Sequence, residues 1–322
     1  MRLPTLLPTL LCLSSVSGIA AQEMRMATPY ADSFFQTQNV REFAQNVGSM
    51  TDGAISFDIH TGSTLVSHTD IPGAVAEGEL QAGEFFLSIL SGDDPIFGLD
   101  SLPFVATDYG SAADLWDEQR PLVQDALRAR GLVALYAVPW PPQGLYFNKE
   151  VNSVADMAGT KFRSYNSATA RLAELTGMLP VTIEAAEISQ AFATGVAESM
   201  ISSGATGYDR KVWENLSHYY KVNAWLPRNY VMVNKQIWEG LSAETQGQVQ
   251  KAADETGAAC SAKSEELANW YFEQLSDNGM TVTDAGPEFL GELQEIGAKM
   301  TADWLASAGD DGQAILDAYN AN

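Results

Sequence analysis

Basic charge is scarce in this chain: 18 Lys and Arg stand against 41 Asp and Glu, a formal net charge of −23. That shortage excludes nucleic acid as a partner, because neutralising phosphates needs clustered cations. It argues equally against docking on anionic membrane surfaces. Histidine is limited to His60, His68 and His218, which lack metal-ligand spacing. Cysteine is limited to Cys12 and Cys260. Cys12 falls in a segment read below as a removable leader. Cys260 is therefore expected alone, a buried inert thiol with no intrachain disulfide. Also missing are G-x-S-x-G, G-x-x-x-x-G-K-[ST], a G-x-G-x-x-G after a strand, and H-E-x-x-H. The acidic pairs Asp93-Asp94 and Asp310-Asp311 do not have the spacing of a calcium loop. These patterns call for no metal and no cofactor.

Long apolar runs are missing too, with one exception. Residues 3–19 are mostly apolar, follow Arg2 and end in the small residues Ser17, Gly18, Ala20 and Ala21. This reads as a secretory signal peptide cleaved after Ala20 or Ala21. Pro4 and Pro8 interrupt the run and weigh against a membrane anchor, and nothing else is long enough to span a bilayer. The mature chain is expected outside the cytoplasm, without direct membrane insertion. Its length of about three hundred residues suits one large or two medium domains. Apolar content of 46% with 18% charged residues is that of a globular chain with a sizeable core.

Periodicity then organises the chain. A strand is expected at 23–28 and a helix at 33–49, with Val40, Phe43 and Val47 as its buried stripe. A strand at 54–60, a short helix at 70–77 and an apolar strand at 84–90 follow. Turn-rich sequence at 94–109 leads to an amphipathic helix at 111–130 and a strand at 132–138. The diproline and glycine within 140–148 are expected to break regular structure and carry the chain into a second domain. Next comes an alternating series: strand 161–163, helix 168–176 closed by Gly177, strand 179–183, helix 185–194 closed by Gly195, strand 198–202. That is βαβαβ, hence a parallel sheet with right-handed crossovers. A short helix is expected at 207–216, then an extended return at 219–233 interrupted by Pro227. From the N-cap Ser242 a helical pattern runs to about Leu275, unusually long for a globular helix and able to lie across both domains. A strand at 280–283 and a helical tail at 288–319, broken around Gly309 and Gly312, complete the α/β pattern.

Ligands of parallel sheets sit beyond the carboxyl ends of the strands. Arg163 ends one such strand, and Ser202 and Ser203 end another. A guanidinium there is either a structural arginine or an anchor for a planar carboxylate, which it can hold with two parallel charge-assisted bonds. Asn166, Asn148, Ser202 and Ser203 could donate further hydrogen bonds. Aromatic residues gather where chain crossings are expected: Phe34, Phe35, Trp140, Tyr146, Tyr208, Trp213, Trp225 and Tyr230. Such rings can wall a cleft and exclude water, or can simply form core.

Several stretches carry a family resemblance. Residues 156–163 (Asp-Met-Ala-Gly-Thr-Lys-Phe-Arg), 177–181 (Gly-Met-Leu-Pro-Val) and 187–195 (Glu-Ile-Ser-Gln-Ala-Phe-Ala-Thr-Gly) resemble the extracytoplasmic solute-binding proteins of TRAP transporters, the DctP type. Residues 100–104, 146–148, 234–238 and 241–246 support the match in order and spacing, over essentially the whole mature chain. The resemblance implies a two-lobed periplasmic-binding-protein architecture, with hinge strands and a long domain-spanning helix. It implies a leader at 1–21, a first lobe from 22–145 plus about 232–265, and a second from 146–231 plus about 266–322. It implies that Arg163 pairs with a ligand carboxylate in a pocket shared with Asn166, Trp140, Tyr146, Ser202, Ser203, Tyr208, Phe34 and Trp225. The segment after the last strand of the series reads Ile-Ser-Ser-Gly-Ala-Thr-Gly-Tyr at 201–208. It lacks the acidic or Asn-rich character common in sugar-acid binders, which points to a small or partly apolar acid such as a 2-oxo or aromatic carboxylate. The implied action is capture by lobe closure and delivery to membrane permease subunits, by a periplasmic monomer and without catalysis. An exported enzyme on small carboxylates, a sensor accessory protein and an ABC-type binding protein are the competing readings.

Overall fold

The structure is a computed structural model that describes residues 22–321; the leader expected at 1–21 lies outside the described residues. The chain opens with β1 (Gln22–Ala27), α1 (Phe35–Met50), β2 (Ile55–His60), α2 (Ile71–Glu77) and β3 (Ala82–Phe86). Then come α3 (Tyr109–Ala129), β4 (Leu132–Pro139), β5 (Gln143–Phe147), β6 (Lys161–Ser164), α4 (Ser167–Leu175) and β7 (Leu179–Thr182). The remainder is α5 (Ile188–Ala193), β8 (Ser199–Ser203), α6 (Gly204–Asp209), β9 (His218–Lys221), β10 (Arg228–Asn234), α7 (Lys235–Gly240), α8 (Ala243–Asp277), β11 (Thr281–Asp284) and α9 (Pro287–Ala321).

Two mixed sheets form, one per lobe. The first has the order β2-β1-β3-β10-β4, with β10 antiparallel to β3 and β4. The second has the order β11-β9-β5-β8-β6-β7, with β5 antiparallel to β8 and β9. Inner strands such as β5, β8 and β10 are buried on both faces, so the alternation of side chains feeds two cores at once. Along β10, Val231 and Val233 join the cluster under α1 and α8, while Tyr230 and Met232 join the cluster under α2 and α3. The α1 stripe of Val40, Phe43 and Val47 packs as its spacing predicts. In the second lobe the expected βαβαβ series is present, and β6 pairs in parallel with both β7 and β8.

The two sheets share a layout that bears on function. In each, the first strand sits between its two parallel successors: β1 between β2 and β3, β6 between β7 and β8. The chain therefore leaves each of these strands in opposite directions, and the carboxyl ends of β1 and β6 are topological switch points where ligands bind. Each sheet also takes its antiparallel strand from beyond a crossing. The crossings run side by side, tied by Trp140 N to Pro227 O (2.8 Å), Gln143 N to Trp225 O (2.9 Å) and Ala224 N to Gln143 O (2.9 Å). These are the hinge strands.

Helix α8 has 35 residues, about 52 Å at 1.5 Å per residue, and is capped by the Ser242 side chain as its sequence predicts. Its early turns lie on the first lobe, where Asn39 Nδ2 donates to Thr256 O (3.1 Å). Its late turns lie on the second, where Phe272 packs on Tyr219. Helix α9 breaks at Gly309 (φ 62°), as its glycines predict. Phe289 and Leu293 pack in the second lobe, whereas Ile315 and Leu316 reach the first.

Four expectations change. The strand expected at 84–90 stops at Phe86, and Leu87–Leu90 form a 3-10 turn. Past Gly83 the β1 side of β3 has no strand partner, and the Phe86 N–H is taken instead by His68 Nε2 (3.2 Å). The segment 140–148 is not wholly irregular: the diproline stops β4, but Gln143–Phe147 forms β5 in the interior of its sheet. Gly144 is there for close approach, since a Cβ at that position would overlap the Tyr219 ring. The helix expected at 207–216 begins earlier, capped by Ser203 at Gly204, and ends at Asp209, where Lys211 (φ 49°) turns the chain. The extended return at 219–233 is two strands in two different sheets, β9 and β10, parted by the crossing that contains Pro227.

Candidate ligand-binding site

Alternation along β6 sends Phe162 into the second-lobe core and Arg163 to the opposite face. There Arg163 is 4% exposed, at the carboxyl end of the switch-point strand. Its Nε donates to Ile183 O (2.9 Å), and its Cζ lies 4.8 Å from the centre of the Tyr165 ring. No carboxylate among the described residues lies within ion-pair distance of Arg163, and its terminal nitrogens have no hydrogen-bond partner there. Burial pushes its pKa down to about 10, so it stays cationic at neutral pH. Burying an unpaired cation costs several kcal/mol, and a ring contact of about 1–2 kcal/mol offsets only part. An anion supplied from outside removes that cost.

The space beside Arg163 encloses about 60 Å³. At roughly 10–15 Å³ per water site, that is room for a handful of waters or one small ring. Its first-lobe wall is Tyr30, His68, Thr69, Phe86, Ile89 and Trp140; its second-lobe wall includes Gln143, Tyr165, Glu184, Ser202 and Thr206. Phe86 and Trp140 stack at 5.9 Å with an interplanar angle of 4°. Contacts across the cleft close it: Asn166 Nδ2 donates to Ser88 Oγ (2.8 Å), Ser91 and Ser167 hydroxyls meet at 2.8 Å, and the His68 N–H reaches Glu184 Oε2 at 3.4 Å. A larger groove of about 610 Å³ runs between α3, β4 and α8 but is open, and its Arg228 is engaged by Ala112 O and the Trp116 ring.

The structure brings Arg163, Trp140 and Ser202 to the cavity wall and places the other candidates elsewhere. Asn166 caps α4, accepting from Thr169 N (2.8 Å), and clasps Ser88 across the cleft. Tyr146 is fully buried, donates to Ser203 O (2.9 Å) and packs on Tyr219. Ser203 caps α6. Tyr208 packs among Trp213, Trp270 and Tyr271, and Trp225 belongs to the second-lobe core. Phe34 lies behind the wall, against Tyr30 and Trp140 and 4.8 Å from Arg210 Cζ. Sequence reasoning missed Tyr30, His68, Phe86 and Tyr165. Tyr30 just follows β1, whose switch-point position matches that of β6, so a comparison of the two sheet orders finds it. No local motif marks the others.

Behind the cavity lies a buried polar chain that orients its rings. Asn229 Oδ1 accepts from Trp140 Nε1 (2.9 Å) and Tyr30 OH (3.1 Å), and its Nδ2 donates to Glu84 Oε1 (2.8 Å). Thr28 Oγ1 donates to Glu84 Oε2 (2.6 Å). Burial pushes the Glu84 carboxyl up to about 7, against the opposing pull of those hydrogen bonds. A carboxyl so raised binds its proton more tightly in the fold than in the unfolded chain. The stability this gives is present below about pH 4.5 and is lost as pH climbs to about 7. Glu84→Gln keeps both hydrogen bonds if the amide nitrogen faces Thr28. The variant is expected to lose about 3 kcal/mol less than the wild type between pH 4.5 and 7, the figure following from the pKa displacement. Denaturant unfolding at pH 4.5 and 8 measures this; equal losses in both proteins would refute it. His68 titrates with the opposite sign, its pKa pushed down to about 3 by burial, and cancels in the comparison.

Comparisons with known proteins agree with this geometry. Residues 26–307 match the family model of the bacterial extracellular solute-binding proteins, family 7 (DctP). A marine-metagenome TRAP solute-binding protein specific for pyroglutamate is 57% identical, with a TM-score of 0.93 over 94% of this chain and 100% of that one. DctP6 of Bordetella pertussis, an extracytoplasmic solute receptor binding pyroglutamic acid, is 38% identical, with a TM-score of 0.92 over 94% and 100%. The C4-dicarboxylate-binding periplasmic protein DctP of Rhodobacter capsulatus is 24% identical over 82% of this chain and 77% of its own. An enclosed cavity with an unpaired arginine, at the meeting of two switch points, is thus found in a chain that belongs to the family 7 extracellular solute-binding proteins, the extracytoplasmic TRAP receptors for small organic acids, and not to an enzyme family.

Proposed function

We propose that the ligand is a small cyclic amide acid of the pyroglutamate type, held by its carboxylate on Arg163 between the two lobes. The observation that carries this reading is the buried Arg163, which has no carboxylate within ion-pair distance among the described residues and faces a cavity of about 60 Å³. The 57% and 38% identical relatives, described as binding pyroglutamate and pyroglutamic acid, support the choice of ligand. The small volume and the Phe86–Trp140 stack favour a flat ring over a polyhydroxylated sugar acid. The lobes open along the hinge strands at Trp140 and residues 222–227, and closure is stabilised by contacts across the cleft such as Asn166–Ser88. On this reading the chain is exported by its leader, acts as a periplasmic monomer and presents the closed form to TRAP membrane subunits. On this reading the lobes divide at the two crossings, before Gln143 and before Arg228, rather than at 145/146 and 231/232, which fall inside β5 and β10.

Thermal melting tests the ligand assignment. For a receptor of micromolar affinity, millimolar pyroglutamate stabilises by about 4 kcal/mol, which raises Tm by roughly 5–10 °C in a chain of this size. Succinate and glucuronate at equal concentration are expected to move it far less. A larger shift with either of them would overturn the assignment.

A further inference from the structure

The structure assigns to His68 and Glu184 the reading of the ligand's uncharged polar edge, which makes the site selective for carboxylic acids that carry a ring amide. The inference rests on the reading that Arg163 takes the carboxylate of a pyroglutamate-type ligand. It deepens that reading by naming the groups that would distinguish such a ligand from other small ring acids.

His68 lines the cavity from the first lobe. The Phe86 backbone N–H donates to its Nε2 at 3.2 Å, and a ring nitrogen that accepts carries no proton. The proton of the neutral imidazole is therefore on Nδ1. That nitrogen has no protein partner among the described residues, and it is not among the polar atoms sealed without a partner in the interior. It is a donor left to the cavity. The ring cannot swing freely, because it packs edge-on against Tyr30 (5.8 Å) and tilted against Phe86 (6.2 Å). Burial and the nearby Arg163 charge keep it neutral, so it offers a single N–H and no second full charge.

Glu184 enters from the other lobe, in the turn after β7, and also lines the cavity. Its Oε2 accepts the His68 backbone N–H at 3.4 Å, which holds this acceptor against the residue that carries the donor. Such a pair matches the edge of a cis amide, where C=O and N–H lie adjacent on one side of the ring. A ring acid without the amide would leave the His68 donor unpaired in the closed cleft. A site built around a hydrogen bond rejects an analogue lacking it far more strongly than an apolar wall rejects a methylene. A linear amino acid would instead bring an ammonium group close to the Arg163 cation.

The test is isothermal calorimetry with three probes on the full mature chain: pyroglutamate, proline and cyclopentanecarboxylate. Wild type is expected to bind pyroglutamate roughly a hundredfold or more tighter than cyclopentanecarboxylate. His68→Phe, which keeps a flat ring, is expected to shrink that ratio to roughly tenfold or less. A ratio that survives His68→Phe overturns the inference. Failure of wild type to bind pyroglutamate at all, with binding of another acid intact, overturns the ligand reading instead, so the two failures are distinct. If His68→Phe does not fold, ¹⁵N spectra of wild-type histidine decide. The expected signature is the Nδ1–H tautomer, with its proton resonance moving when pyroglutamate is added. An Nε2–H tautomer, or no movement, overturns the inference.

Discussion

Arg163→Ala is expected to bind its carboxylate ligand roughly a hundredfold to several thousandfold more weakly than wild type, the equivalent of about 3–5 kcal/mol. The loss is large because closure around the ligand removes water from its charge. The cavity has no second free cation among the described residues on its wall: His68 is held neutral by burial. Stability of the unliganded variant is expected to hold or rise, because the substitution deletes a buried cation that has the Ile183 carbonyl and the Tyr165 ring against it but no carboxylate at ion-pair distance among the described residues. That combination, weaker binding with undiminished stability, separates a ligand anchor from a structural arginine. Arg163→Lys is expected to lose most of the affinity as well, since an ammonium cannot hold both the Ile183 carbonyl and a carboxylate with the planar fork of a guanidinium. Calorimetry paired with denaturant unfolding checks both variants. Unchanged affinity, or a collapse in stability, would remove Arg163 from its role.

Asn229→Leu is expected to act in the opposite way, on stability first. One amide here serves three buried groups: the Trp140 indole N–H, the Tyr30 hydroxyl and the Glu84 carboxyl. Leucine is near in volume but satisfies none of them. At about 1–3 kcal/mol per orphaned group, the expected loss is about 4 kcal/mol or more. Part of it is recovered at low pH, where Glu84 is protonated and its burial costs less. Unfolding at pH 5 and 8 measures both the size and the pH dependence. A loss below about 1 kcal/mol at pH 8 would mean that the network is not the support described here. Ligand affinity is expected to fall as well, because Trp140 and Tyr30 would no longer be fixed at the cavity wall.

What the sequence fixes about this protein is local or periodic. The stripe on α1, the βαβαβ series, the Ser242 cap and uninterrupted run of α8, and the glycine break in α9 all follow from spacing and caps within a few residues. Arg163 at the end of β6 was legible for the same reason: a strand end followed by an N-cap can be read from one short stretch. The meeting of the lobes is different in kind. His68 is 18 residues from Phe86 in sequence and 116 from Glu184, and Tyr30 is 199 from Asn229. No period or motif links such distances. Only the crossings at Trp140 and Pro227, which deliver β5 and β10 into the opposite sheets, bring the two switch points face to face. That same geometry turned Tyr146 and Trp225 into core. An aromatic or polar residue near a crossing has several burials open to it, and packing against the far lobe selects one.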